Sequence, residues 1–179
     1  RRSGMYTIND SVIPPQIAAF STIRRAGADD LAAVNDVVAK AVLHWPLNER
    51  VRRLAVPVLQ YDALDFADYH VLVHECSHQL TGVAILDASP PADVARTRAC
   101  TLHGIYVSPR EQCQGVGRAL VEATTSLARE LGCGGMGVRA ERVSTGFFER
   151  CGFGHIAPGS DCAYPHFYWL PLTPADRAG

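Results

Sequence analysis

The chain has 179 residues, 47% of them hydrophobic and 20% charged, with a formal net charge of −1 at pH 7. That size predicts one domain with a substantial core, and the near-neutral balance leaves no basic field to recruit nucleic acid. No apolar run reaches the roughly 18 residues of a membrane span, and no apolar stretch of a secretory signal follows Arg1-Arg2, so a cytoplasmic protein without membrane attachment is expected.

Residues 1–20, with the pair Pro14-Pro15, predict an irregular extension. Ser21 to Arg24 predicts a short strand. Asp29-Asp30 then opens an amphipathic helix with Leu31, Val34, Val37, Val38 and Ala41 at helical spacing. Trp45-Pro46-Leu47 breaks it, and a second helix is expected from about Asn48 to about Gln60, with Arg50, Arg52 and Arg53 on a solvated face. Tyr69 to Glu75 and Leu80 to Asp87 read as a hairpin, Pro90-Pro91-Ala92-Asp93 as a loop, and Cys100 to Val107 as a third sheet strand.

A long helix is predicted from Gly117 to Leu131, burying Leu120, Val121, Thr124, Leu127, Ala128 and Leu131. Met136 to Ala140 reads as a strand, Ser144 to Arg150 as a short helix and Phe167 to Leu170 as a last aromatic strand. The order βααβββαβαβ describes one α/β sandwich over residues 21–172, followed by a tail at 173–179. Six cysteines without a C-x-x-C pair, in a chain large enough to build a core, read as reduced thiols.

His74-Glu75-Cys76-Ser77-His78 matches H-E-x-x-H, a zinc motif that works when helical spacing places both histidines on one face. Here the flanking residues alternate like strands, and Cys76-Ser77 falls at a hairpin tip. The histidines are then not expected to converge, and no metal is expected.

The informative stretch runs from Val107 to Leu120, V-S-P-R-E-Q-C-Q-G-V-G-R-A-L. A strand stops at Pro109, a glycine-containing turn follows, and a helix begins. The first N–H groups of a helix have no internal partners, and with the helix dipole they form a site for an anion such as pyrophosphate. Gly115 and Gly117 let phosphate oxygens approach the backbone, and Arg118 adds a charge. Any strand-to-helix turn can use two glycines, and neither a third fingerprint glycine nor Gly-Lys-Ser/Thr follows.

Gln112-x-x-Gly115-x-Gly117, preceded by Ile105-Tyr106-Val107-x-Pro109, resembles the acetyl-CoA motif of the GNAT superfamily of N-acetyltransferases. Phe147-Phe148-Glu149-Arg150-Cys151-Gly152-Phe153 is similar to its second signature, and Ile23-Arg24-x-Ala26-x-x-x-Asp30-Leu31 to its opening strand and helix. The resemblance covers roughly residues 21–172. It implies a mixed β-sheet flanked by helices with two splayed central parallel strands, Cys100 to Val107 and Met136 to Ala140. It also implies acetyl-CoA as cosubstrate. The N–H groups of Gln112, Cys113, Gln114, Gly115, Val116 and Gly117, with Arg118, would hold the pyrophosphate. Ile105, Tyr106, Val107 and Phe148 would contact the rest of the cofactor, with Gly104 suited to a bulge.

Two positions depart from the family pattern. Thr101 stands where many relatives carry a glutamate base, and Phe148 where a tyrosine protonates the departing thiolate. His103, two residues beyond Thr101 on the same strand face, is a candidate base, with packing in the sheet as its other reading. His166 is a second candidate. Ser144, with Thr145, is a candidate proton donor, and helix capping is the competing role.

His44, Trp45, Glu49 and Tyr164 are expected to line the acceptor side. The function implied is direct acetyl transfer to a primary amine of a small molecule in a ternary complex; homodimer formation stays open. A non-catalytic acyl-CoA-binding module and, remotely, a zinc hydrolase through His74, Glu75 and His78 are the alternatives.

Overall fold

The computed structural model describes residues 21–91, 98–157 and 164–173. The expected extension over residues 1–20, Ala92-Asp93, Cys162 and residues 174–179 of the expected tail lie outside them. Seven strands form one sheet: β1 (Ser21–Arg25), β2 (His70–Cys76), β3 (Gln79–Asp87), β4 (Ala99–Val107), β5 (Gly135–Arg139), β6 (Gly154–Ile156) and β7 (Phe167–Pro171). Their order is β1-β2-β3-β4-β5-β7-β6. Among the described residues, only β4 and β5 pair in parallel. The helices are α1 (Leu31–Leu43), α2 (Glu49–Leu59), α3 (Ala63–Asp68), α4 (Val116–Glu130) and α5 (Thr145–Arg150).

Helices cover both faces of the sheet. One core joins α1 residues Val34, Val37, Val38, Ala41 and Val42 to Val71, Val73, Val83, Ile85 and Tyr106. The other joins Leu120, Val121, Leu127 and Ala128 of α4 to Leu72, Ala84, Leu86, Leu102 and Met136. Strand β3 lies between them, and its Val83-Ala84-Ile85-Leu86 run is fully buried, as a strand covered on both faces requires.

The predicted order lacks two short elements. Strand β6 has three residues and pairs only with β7. Helix α3 has six residues, held by a capping box in which Asp62 accepts from the Leu64 and Asp65 N–H groups and Asp65 accepts from the Asp62 N–H. Leu131, expected on the buried side of α4, is 41% exposed, because it caps the helix where the chain turns away at Gly132, φ +78°. Arg52 is half-buried rather than solvated: its Nη1 donates to the carbonyls of Leu43 (2.8 Å) and Trp45 (3.3 Å) and latches α2 to the loop that ends α1.

The H-E-x-x-H segment is the end of β2 followed by a tight turn. Ser77 and His78 both have positive φ, 48° and 64°, as a two-residue hairpin of the right twist demands. His74 Nδ1 meets Thr81 Oγ1 at 2.6 Å, while Glu75 accepts from Arg24 at 2.8 Å. Extended geometry directs consecutive side chains to opposite faces, so the helical convergence that motif needs is missing.

Candidate functional site

Between Ala99–Gly135 and Leu102–Val138 the two parallel strands are in register; beyond Leu102 the pairing stops. The departure coincides with a bulge. Ile85 pairs with Gly104 and Leu86 with Leu102, which leaves His103 as the extra residue. The expected splay of β4 from β5 is thus present, and Gly104 sits at it. A Cβ on Gly104 would stand 2.8–3.0 Å from the ring and hydroxyl of Tyr106, so the missing side chain makes room for that ring to lie back along the strand.

Where β4 ends, a cleft of about 540 Å³ opens. One wall is the turn into α4: Gln112, Cys113, Gly115, Gly117 and Arg118. Gly115 has φ +89° and open space where a Cβ would be; Cys113 adopts a left-handed φ of 61°. No side chain caps α4, so its first N–H groups and the positive end of its dipole face the cleft unsatisfied by a cap. Gln112 donates to the Val107 carbonyl (3.2 Å) and braces the turn against the strand end.

The second wall is α5 with the residues that flank it. Val143, Phe147, Arg150 and Cys151 line the cleft at helical spacing, with Ser144 beside them. The third is the end of α1 and its following loop, Ala41, His44, Trp45 and Pro46, and the floor is Ile105, Tyr106 and Val107. Arg118 Nη2 donates to the Arg150 carbonyl (3.3 Å) and joins the first two walls. Gly117 stands where a Cβ would meet the Phe147 ring at 3.1 Å.

Of the sequence-predicted residues, the cleft brings together His44, Trp45, Ile105, Tyr106, Val107, Gln112, Cys113, Gly115, Gly117, Arg118 and Ser144. It does not include the others. Phe148, expected against the cofactor, is 4% exposed and packs edge-on against Phe153 at 5.3 Å; it lies one helical step round from Phe147, which takes the cleft position. Val116 is buried beneath the turn, and Gln114 turns back to the Arg110 carbonyl (2.6 Å). Glu49 is exposed and paired with Arg53 at 2.7 Å, and Tyr164 lies under the guanidinium of Arg139. The His166 carbonyl accepts from the Ala140 N–H at 2.9 Å, and its side chain is outside the cleft lining.

His103 is also outside that lining. Its Nε2 lies 3.5 Å from Asp87 Oδ2 and its ring 4.6 Å from that of Tyr69. Asp87 in turn accepts from the Ser89 N–H at 2.7 Å, which fixes the carboxylate that faces the imidazole. Ser144 donates to the Glu141 carbonyl (2.9 Å) and Thr145 to that of Arg142 (3.2 Å), so both hydroxyl protons are engaged in the local turn.

Sequence reasoning missed three features. Phe147 reaches the cleft because α5 starts at Thr145, a phase that the motif alone does not give. Asp87 supports His103 across the sheet, a pairing visible only once register is known. Burial raises the pKa of Tyr61 and of Tyr106 beneath the floor, so both phenols stay neutral. Burial likewise pushes the Cys151 thiol up despite Arg118 and Arg150 nearby.

Residues 39–153 match the model of the acetyltransferase (GNAT) family. The L-methionine sulfoximine/L-methionine sulfone acetyltransferase of Salmonella typhimurium is 33% identical over 115 residues, 62% of this chain. That match spans 65% of the relative, less than two thirds of its length. The PaiA N-acetyltransferase of Thermoplasma acidophilum, solved with coenzyme A, superimposes with a TM-score of 0.68 at 15% identity, covering 86% of this chain and 99% of that one. A GNAT family acetyltransferase of Brucella melitensis, solved with acetyl-CoA, gives 0.60 at 23% identity over 87% and 90%. At these identities the solved structures speak for the fold.

Proposed function

The chain belongs to the acetyltransferase (GNAT) family, and from that premise we propose that it transfers an acetyl group from acetyl-CoA to a primary amine of a small molecule, with both substrates held at once. One observation carries the proposal. The uncapped start of α4, the unpaired stretch of β4 and the loop after α1 all open onto one cleft.

The residues fit acetyl-CoA. Backbone N–H groups from Gln112 to Gly117 bind the pyrophosphate, with Arg118 adding a charge-assisted contact. Gly117 keeps the passage beside Phe147 open. The backbone of Ile105 and Val107, left without partners from β5, hydrogen-bonds the pantetheine arm. The cosubstrate supplies an activated acyl group on a thiol leaving group. An N–H of β4 aimed at the acyl oxygen contributes about 3 kcal/mol, as single oxyanion donors do.

On the acceptor side, His44 and Trp45 form a mixed aromatic and polar wall held by Arg52. His103, oriented by Asp87 at the bulge and outside the cleft lining, takes up the amine proton through an intervening water. The curated relative is named for L-methionine sulfoximine and L-methionine sulfone, which favours an acceptor of amino-acid size.

A second reading, a CoA-binding module without turnover, is favoured by the engaged hydroxyls of Ser144 and Thr145 and the burial of Phe148. Thiol release from acetyl-CoA across a panel of amines, methionine sulfoximine included, separates the two. The transferase reading expects release that depends on the amine. Binding of acetyl-CoA without amine-dependent release for any acceptor supports the module.

A further inference from the structure

Among the described residues, the cleft lining holds two guanidiniums, Arg118 and Arg150, and no carboxylate. That balance suits the phosphates of the cosubstrate and repels the acceptor. An aliphatic primary amine has a pKa near that of lysine, about 10.4, so it arrives at neutral pH as an ammonium. It needs a counter-charge on the acceptor side, away from the arginines.

Glu141 stands at that place. Strand β5 and the residue after it put Met136, Val138 and Ala140 into the α4-side core. The extended backbone of Glu141, φ −66° and ψ 146°, continues the alternation and turns its side chain to the opposite face. That face carries Tyr106, packed with α1, and the end of α1 supplies the acceptor wall of His44 and Trp45.

Register gives the same location. Strands β4 and β5 part after Leu102–Val138, so one lip of the gap is Ile105-Tyr106 and the other is Ala140-Glu141. On its far side β5 pairs Arg139 with Phe167, and the Ala140 N–H reaches the His166 carbonyl, which brings Glu141 beside Tyr164. The Glu141 carbonyl accepts from the Ser144 N–H (2.8 Å) and hydroxyl (2.9 Å), and Val143 and Ser144 line the cleft. Glu141 is thus held at the rim.

Its charge is felt at both neighbouring phenols. Burial is the first cause of the raised pKa of Tyr106 and of Tyr164, and the Glu141 carboxylate adds to it at each. The side chain is exposed, and the ion pairs among the described residues do not include it. A cation from solvent can therefore reach it.

Building on the acyl-transfer reading, we propose that Glu141 binds the ammonium of the acceptor beside Tyr106 and Tyr164, and so selects cationic primary amines over neutral or anionic acceptors. Its part is binding and orientation; proton removal stays with His103.

The full-length chain is assayed for thiol release from acetyl-CoA with L-methionine sulfoximine, L-methionine sulfone and n-butylamine. Uptake of the same amines by its CoA complex is followed by calorimetric titration. Glu141→Gln is expected to raise the amine KM and dissociation constant about tenfold or more, the loss of one charge-assisted hydrogen bond. The KM for acetyl-CoA and the thermal midpoint should stay at wild-type values, because the side chain is exposed. Glu141→Asp keeps the charge and should recover part of the affinity. Added salt should weaken amine binding in the wild type and change it little in Glu141→Gln.

Amine-dependent release in the wild type with an unchanged amine KM in Glu141→Gln overturns the inference and leaves acyl transfer standing. Uptake that depends on Glu141 without thiol release supports the inference and sinks acyl transfer. A wild type that neither takes up nor acetylates any of the amines overturns both. Matching losses in both variants with a lowered thermal midpoint reveal a structural role and overturn the inference as well.

Discussion

Gly115 and Gly117 lie two residues apart and have different tasks, which substitution separates. Gly115 sits in left-handed backbone with open space around it, so Gly115→Ala costs only the conformational penalty, about 1–2 kcal/mol of stability, with the cleft left open. Gly117 has helical backbone, but a side chain there drives into Phe147. Gly117→Trp is therefore expected to fold and to lose acetyl-CoA affinity, read by calorimetric titration. The two glycines were legible in the sequence because backbone chemistry depends on their spacing alone. Phe148 was misjudged for the opposite reason: which of two adjacent phenylalanines faces the cleft depends on where α5 begins.

The pH dependence of stability is also set by single side chains. Burial lowers the pKa of His74 and of His70 from the usual 6.5, with Arg25 adding to the effect at His70. The unfolded chain then binds more protons than the folded one just below that value. Stability rises with pH through this window, is complete above about pH 6.5 and is lost as the pH falls. Melting temperatures between pH 7.5 and 5 should show this slope, and His74→Gln should flatten it; an unchanged slope would exclude His74 as a source.

At the scale of elements, β4 combines a bulge, a glycine and an end to its pairing with β5, and these three belong together. The extra residue at His103 twists the strand away from β5, and Gly104 accepts the Tyr106 ring that the twist brings back. Gly104→Ala should clash with that ring within 3.0 Å, lowering both the melting temperature and acetyl-CoA affinity. Retention of wild-type values in both would show that the ring moves freely and that the bulge does not depend on it.

Helix α2 holds the loop after α1 through Arg52, whose guanidinium reaches two carbonyls at once. Arg52→Ala removes both contacts, so it should raise the KM for the amine with little change in the KM for acetyl-CoA. The strands and helices of ten or so residues were readable from apolar spacing. Helix α3 and β6 were not, since six and three residues give too little period, although Asp62-x-x-Asp65 was a capping signal in plain view.

For the molecule as a whole, the sheet with helices on both faces follows from β3, whose unbroken apolar run needs cover on each side. The splay between β4 and β5 came from resemblance and not from periodicity, because pairing partners are not encoded in any one strand. The same holds for His103 and Asp87, brought together from strands 16 residues apart by register. The cleft is the place where these long-range placements meet a local motif. No helix among the described residues is long and apolar enough to cross a membrane.

In the proposed function, the turn into α4 and the open end of β4 bind acetyl-CoA. Thermal unfolding of the wild type and of Gly117→Trp, with and without acetyl-CoA, tests it directly. At about a hundred times the dissociation constant, a ligand bound only to the folded chain adds about 2.7 kcal/mol, or roughly 5–10 °C for a domain of this size. That shift is expected for the wild type and its loss in Gly117→Trp; no shift in the wild type, or an equal shift in both, would contradict acetyl-CoA binding at this turn.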